Sequence, residues 1–338
     1  MMPSAAPRPG DVGDGQGASD GQGASDGQGV GDGQGVGDDQ GADGGKDVTS
    51  RAIQLSPEQI RAMQLKSREM FDYLRGFCDE QGLLVYFCGG CCIGALRHGG
   101  FIPWDDDVDV FMPRPDYERL AELWPAHADT ERYSYVRTTE DMVTGDLMAK
   151  ICDNATTCVT TYQQDKDIPQ GLTLDILPLD GYPSGAWARR RQVFWALIFS
   201  LFNAQSVPVN HGGVMAGGSR VLLSIFRSRR IRYRIWRTAQ RRMSATPFGS
   251  TDSVTELASG PDYMKNRYPY AAFASAVLKE FEGRQEPLPV GYDEYLRIAF
   301  GDYMQLPPED KREPHHDIAL LDLDTPYLKY RGKGYLRG

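Results

Sequence analysis

Asp107 and Asp109 are separated by a single residue and interleave with Val108 and Val110. That period of two is the pattern of a strand with one face buried, and it turns both carboxylates to the same side. Like charges held that close raise each other's pKa unless a hard cation sits between them, so the pair reads as a divalent metal site, magnesium or manganese. The pair overlaps an acidic run, Asp105-Asp106-Asp107. Asp105 and Asp106 are then ancillary acids or ligands of a second cation, unless the run is a solvated turn, as most acidic runs are. A third acid, Asp175, stands alone within Leu172-Thr173-Leu174-Asp175-Ile176-Leu177. In so apolar and β-branched a strand an ionised carboxylate is costly unless it meets a cation.

The elements that must position these acids surround them in sequence. Leu83 to Phe87 is a short apolar run that leads into Gly89-Gly90, and Cys91 to Arg97 reads as helix closed by Gly99-Gly100. Strand, glycine pair and helix start bring backbone N–H groups to a phosphate at the positive end of a helix. From Gly90 to Asp107 is seventeen residues. Glycines, paired acids and a third acid on a neighbouring strand match the nucleotidyltransferase fold typified by DNA polymerase beta. Upstream, Ser56-Pro57-Glu58-Gln59 offers an N-cap, a proline at the first helical position and a capping box. Ile60, Met63, Met70, Phe71, Leu74 and Phe77 then keep one helix face apolar to about Asp79, and Gly82 stops it. A second helix is predicted over 115–124 and strands over 133–138, 146–152 and 156–162. The fold class is α+β around one small mixed sheet flanked by helices.

The run GGCCIGALRHGGFIPWDDDVDVFMPRPDY, Gly89 to Tyr117, resembles the signature of the LicD family, GG(S/T)LLGAxRHxGFIPWDDDxDIxMxRxDY. Residues 150–159, 174–183 and 295–316 also resemble that family, so the likeness runs from about residue 55 to about residue 320. It implies a nucleotidyltransferase-like fold and transfer of a phospho-alcohol, phosphocholine foremost, from a CDP-alcohol such as CDP-choline to a cell-envelope or lipid-linked glycan, lipopolysaccharide or teichoic acid. The fukutin-related branch transfers ribitol phosphate from CDP-ribitol. On this reading the donor diphosphate lies against the amides that follow Gly89 and Gly90, at Cys91, and on a metal held by Asp107 and Asp109. Arg97 and Lys150, with His98 behind them, are candidates to neutralise phosphate charge. Asp175 completes the metal site and accepts the proton of the attacking hydroxyl. The likeness also brings Asp302, Tyr303 and His316 toward the site, although the bare His315-His316 pair reads as a surface feature. Cys91 stands where the family has Ser or Thr, and a thiol is the poorer partner for phosphate. Cys92 stands for the usual Leu and should be tolerated. Two other activities use the same residues: nucleotidyl transfer with pyrophosphate release, and glycan or membrane binding without catalysis.

The remainder of the chain divides by composition. Residues 1–50 repeat a DGQGAS-like hexamer, hold nine Asp against Arg8 and Lys46, and cannot bury a core. The expectation is a disordered tail. Residues 51–180 form the catalytic core, 181–251 a basic helical segment and 252–338 a part that completes the site. The six cysteines include a Cys88-x-x-Cys91 spacing, but no second pair accompanies it for zinc, so buried reduced thiols are expected. No basic-then-apolar leader is seen, which points to the cytoplasm. From Gly181 to Thr251 there are twelve arginines and no acid, in a chain of net charge −9. Residues 187–242 are read as a peripheral contact with the inner face of an anionic membrane, or as a site for an anionic polymer. Nucleic acid is not expected, because no recognition module accompanies the charge.

Overall fold

The computed structural model describes residues 52–204, 223–314 and 316–336. The N-terminal repeats, residues 205–222 and His315 lie outside the described residues.

Helix α1, Pro57–Gln81, starts where the sequence says it must: Ser56 accepts from the Gln59 N–H, and the Gln59 side chain accepts from the Ser56 N–H. Gly82 ends it in the left-handed conformation at φ 63°. Strand β1, Tyr86–Phe87, leads into α2, Gly89–Arg97, and β2, Asp109–Pro113, leads into α3, Arg114–His127. β3, Tyr133–Val136, β4, Ala149–Asp153, β5, Thr157–Thr160, and β6, Thr173–Gly181, follow. The three predicted strands after α3 are therefore present but shorter at one or both ends.

The central sheet runs β1-β2-β6-β4-β3, extended beyond β6 by β7, Ser253–Glu256, and β8, Tyr268–Pro269. It is mixed: β2 and β6 are parallel, and the other pairs are antiparallel. β6 is long enough to serve two neighbours on one edge, β4 along its first half and β7 along its last three residues. A hairpin, β9 (Ala276–Phe281) with β10 (Arg284–Pro289), and a ribbon of β5 with β11 (Ile318–Asp322) stand outside this sheet. The main core joins α1, α2 and α3 to the sheet through Met70, Leu74, Tyr86, Val110, Trp124, Ile151 and Ile176, all buried.

Within the described residues of the basic segment, helices α4 (Ala186–Ala204) and α5 (Arg229–Met243) share a core of their own. Phe199 stacks on Trp236 at 5.5 Å, and Ala239 and Met243 complete the contact. Gln192 fixes the pair to the sheet by donating to the carbonyls of Gly181 and Met243, each at 2.9 Å. Helix α6, Tyr292–Phe300, ends at Gly301 and packs Tyr295 and Leu296 into the main core.

Candidate active site

Val108 and Val110 are buried in the main core while Asp107 and Asp109 remain partly exposed, so the two carboxylates do share a face. Only Asp109 belongs to β2. The ladder opens with the Asp175 N–H donating to the Val108 carbonyl at 3.0 Å, which leaves Asp107 just upstream of the strand. In β6, Leu174 and Ile176 are buried and Asp175 turns to the same side as Asp109, its register partner across the parallel pair. Lys150 is in turn the register partner of Asp175 across β4 and β6. Asp109, Asp175 and Lys150 thus form one row across three strands, a placement that follows from the period of two once the register is set.

The row is electrostatically uneven. Burial, followed by the charges of Asp107, Asp175 and Asp105, pushes Asp109 well above the usual carboxylate range. Burial and the charges of Asp107 and Asp106 do the same to Asp105. Asp175 is raised by burial, against which the Lys150 ammonium, 3.2 Å from its Oδ2, pulls it down. Lys150 also reaches Asp146 at 3.7 Å; burial opposes its charge, but Asp146 and Asp175 outweigh burial and hold the ammonium protonated. Asp146 is fixed by the Gln163 amide at 2.9 Å and the Tyr162 hydroxyl at 3.3 Å.

His316 closes the other side. Its backbone N–H donates to Asp106 Oδ2, and its Nδ1 lies 3.3 Å from Asp106 Oδ1 and 3.8 Å from Asp107 Oδ2. Burial would lower the imidazole, but the hydrogen bond to Asp106 and the charges of Asp107 and Asp106 prevail and raise it to about 10. Asp106, Asp107 and His316 each offer a ligand atom within 4.8 Å of the others, the group among the described residues most nearly arranged for a metal ion. No such group includes a cysteine, and all six thiols are unpaired by disulfides.

The glycine pair lies directly against the acids. Both residues open α2, and a Cβ on Gly90 would run into the Asp105 carboxylate, 3.0 Å from Cγ and 3.2 Å from Oδ1. A Cβ on Gly89, which has φ 48°, would lie 3.9 Å from Asp109 Oδ2. The first turn of α2 therefore receives carboxylates, which the positive end of a helix favours. The Gly89 N–H is already engaged, donating to the Tyr295 hydroxyl at 3.0 Å. Cys91 is buried, its thiol raised by that burial and directed at the Asp107 carbonyl 3.9 Å away. A raised, buried thiol is unreactive.

Arg97 and His98 lie outside the row, although the burial that lowers the Arg97 pKa is opposed by the charge of Asp105. The Arg97 guanidinium donates to the carbonyls of Tyr303 and Gln305 at 2.9 and 3.1 Å, tying α2 to the chain after α6. His98 is exposed, its ring edge-on to Trp104, and burial and Arg97 lower its pKa. Asp302 is exposed, and the Tyr303 hydroxyl donates to Asp293 at 2.8 Å. Three residues that spacing did not single out belong to the site: Gln64, whose amide donates to the carbonyls of Ile102 and Asp105, Tyr295 beneath Gly89, and Asp146 beside Lys150. Asp146 opens the strand predicted over 146–152, four residues before Lys150, and Tyr295 opens the family-like stretch 295–316.

Residues 82–177, which carry the glycines and all these acids, match the family model described as LicD/FKTN/FKRP, nucleotidyltransferase domain. The lipopolysaccharide cholinephosphotransferase LicD of Haemophilus influenzae is 30% identical over 269 residues, 76% of this chain and 96% of that protein. The human ribitol 5-phosphate transferase FKRP is 38% identical over 61 residues, 18% of this chain and 12% of its own length. Similarity over nearly the whole of one relative, together with a site that carries the acids of the shared motif, places this chain in the LicD family of transferases.

Proposed function

We propose that the chain transfers a phospho-alcohol, phosphocholine foremost, from a CDP-alcohol to a hydroxyl of a cell-envelope glycan such as lipopolysaccharide. The observation that carries this reading is the row Asp109, Asp175 and Lys150, with Asp107 and Asp106 at its open end. A relative named as a lipopolysaccharide cholinephosphotransferase supports the choice of alcohol and acceptor.

Hard carboxylate oxygens at this density fit Mg2+ or Mn2+. Burial and mutual repulsion raise Asp105, Asp109 and Asp175 together, a strain that a cation would relieve. The acids of the row and its open end, Asp107, Asp109 and Asp175, would hold it, with Asp105 and Asp106 supporting them and His316 in contact with Asp106 and Asp107. Such a metal ion stabilises charge on the transferring phosphoryl group. Lys150 and His316 add positive charge at the two ends of the cleft, where donor phosphates are bound. Asp175, raised by burial, is suited to take the proton of the acceptor hydroxyl. The acceptor oxygen bonds to the phosphorus that bears the alcohol, the bond from that phosphorus to the bridging oxygen breaks, and CMP leaves with that oxygen. Arg97, engaged with two backbone carbonyls, has no part in this scheme.

The same nucleotidyltransferase-type arrangement serves attack on the α-phosphorus of a nucleoside triphosphate, the reading that the matched model's description favours. The products separate the two. CMP release from CDP-choline and CDP-ribitol, and pyrophosphate release from CTP, would be followed with and without Mg2+ for the parent chain and for Asp109→Asn. CMP release that needs the metal and falls at least about a thousandfold in Asp109→Asn, with thermal unfolding unchanged, is expected. Pyrophosphate as the product, or an unimpaired Asp109→Asn, would overturn the assignment.

A further inference from the structure

Helices α4 and α5 bury one face against each other and against the sheet, yet their outer faces do not turn polar. Phe194, Trp195 and Ile198 of α4 meet Ile231 and Ile235 of α5 along an open apolar groove of about 390 Å3. Trp187 is 73% exposed, Phe194 54% and Ile231 44%. Trp187, Arg191, Phe194 and Ile198 follow one another at intervals of three and four, so they form one stripe of α4. On α5 the stripe Ile231, Arg234 and Thr238 continues into Arg241 and Arg242.

The rim of this groove is rich in arginine, and Arg230, beside Ile231, pairs with Glu140 at 3.4 Å. Arg190, Arg191, Arg234, Arg241 and Arg242 are exposed around it, and no acidic residue occurs from Gly181 to Thr251. Two of the arginines lie against the apolar residues: Arg191 is 5.6 Å from the centroid of the Trp187 ring and Arg242 is 5.9 Å from that of Trp195. An apolar floor calls for acyl or other hydrocarbon material, and an arginine-rich rim calls for anions on the same partner. A bilayer surface with anionic headgroups supplies both, and this composition on helix faces is that of segments lying in the interface plane. Spanning is excluded for the described residues, because no helix is long and apolar enough to cross a membrane.

We infer that the outer face of α4 and α5 docks on an anionic phospholipid bilayer, with Trp187, Phe194 and Ile231 entering the headgroup boundary and the arginines meeting the phosphates. Docking would use none of the residues that line the acidic cleft, which is built on β2, β4 and β6. It would hold the enzyme at a surface where a lipid-linked acceptor is presented.

The test is flotation of the full chain with phosphatidylcholine vesicles, alone or with about one third phosphatidylglycerol, and it requires no catalytic turnover. The parent chain should float with the anionic vesicles, not with the neutral ones, and its binding should weaken in about 0.5 M salt as the surface potential is screened. Phe194→Ser with Ile231→Ser, both at exposed positions, should lower the partition at least about tenfold. Each of Arg191→Gln and Arg234→Gln should lower it roughly fivefold. Thermal unfolding of each variant checks that the fold is kept. Failure to float, equal flotation with neutral vesicles, or full binding by the Phe194→Ser, Ile231→Ser chain overturns the inference. That last outcome would mark the face as a polyanion site.

Discussion

Gly90→Ala separates the chemistry of the site from its stability. Position 90 lies in the first turn of α2, so an alanine meets no backbone strain and helix propensity favours it by about 1 kcal/mol. Its methyl group, however, falls 3.0 Å from Asp105 Cγ and 3.2 Å from Oδ1. The methyl group would overlap Asp105 Oδ2 outright, and with contacts preferring roughly 3.5–4.0 Å the carboxylate must retreat by about 1 Å or more. It cannot swing into solvent, because Asp105 is 3% exposed and its backbone is held by Gln64 and by the Ile102 carbonyl. The retreat therefore moves the acidic loop that also carries Asp106 and Asp107. Overpacking costs about 1–3 kcal/mol, which the propensity gain cuts to about 0–2 kcal/mol. At roughly 2–4 °C per kcal/mol for a chain of this size, the melting temperature falls by no more than about 8 °C. Misplacement of catalytic groups by about 1 Å costs about a hundredfold in rate. Gly94→Ala is the control: its methyl group would run into the Gly100 carbonyl, which is backbone and cannot step aside, so that variant loses stability first. CMP release at saturating donor and thermal unfolding would be measured for both variants. A Gly90→Ala enzyme at the parent rate refutes the reasoning, and so does one whose lost rate is matched by an equal loss of folded protein.

Three more outcomes follow from the same geometry. Arg114 donates from Nε and Nη2 to the fully buried Asp180 at 2.8 and 2.7 Å, joining the start of α3 to β6, so Arg114→Met should cost about 3–5 kcal/mol in denaturant unfolding. Cys91→Ser should keep transfer within about threefold of the parent, since a hydroxyl donates to the Asp107 carbonyl at least as well as a thiol, and a larger loss would mean that the sulfur has its own role. Lys150→Met removes the cation that holds Asp175 down, so its carboxyl needs a higher pH to ionise and the acid limb of the rate profile should move upward. An acid limb that stays in place would show that Asp175 is not the proton acceptor.

Which parts of this molecule were legible in its sequence depended on how far apart the interacting residues lie. The capping box at Ser56, the stop at Gly82 and the alternation about Val108 and Val110 are local, and the structure has all of them. Asp175 announced itself by being the sole acid in an apolar strand, but its pairing with Asp109 and Lys150 is a matter of register that no spacing discloses. Arg97 shows the same limit from the other side. An arginine about two turns along a glycine-led helix looks like a phosphate ligand, and only the position of Tyr303 and Gln305, more than two hundred residues away, reveals that two backbone carbonyls accept from its Nη1.

The hairpin of β9 and β10 shows why tertiary contacts hide a local signal. Its two-residue loop, Glu282-Gly283, has φ 54° and 74°, the left-handed pair that a tight hairpin turn demands. Asn-Gly or Asp-Gly would have marked the turn in sequence, whereas glutamate is penalised there by roughly 1–2 kcal/mol. The structure supplies the reason that glutamate is nonetheless used. Its carboxylate accepts from Arg61 of α1 at 2.7 and 3.0 Å and from the Phe101 N–H, beside the glycines that close α2, at 3.2 Å. One strained residue thereby ties the first helix, the hairpin and the loop leading to Asp105. Three acids and a glycine pair stand out in the sequence because the metal and phosphate chemistry proposed for them would restrict residue type. The contacts that hold those acids in place are spread over many residue types, and for that reason only the folded chain displays them.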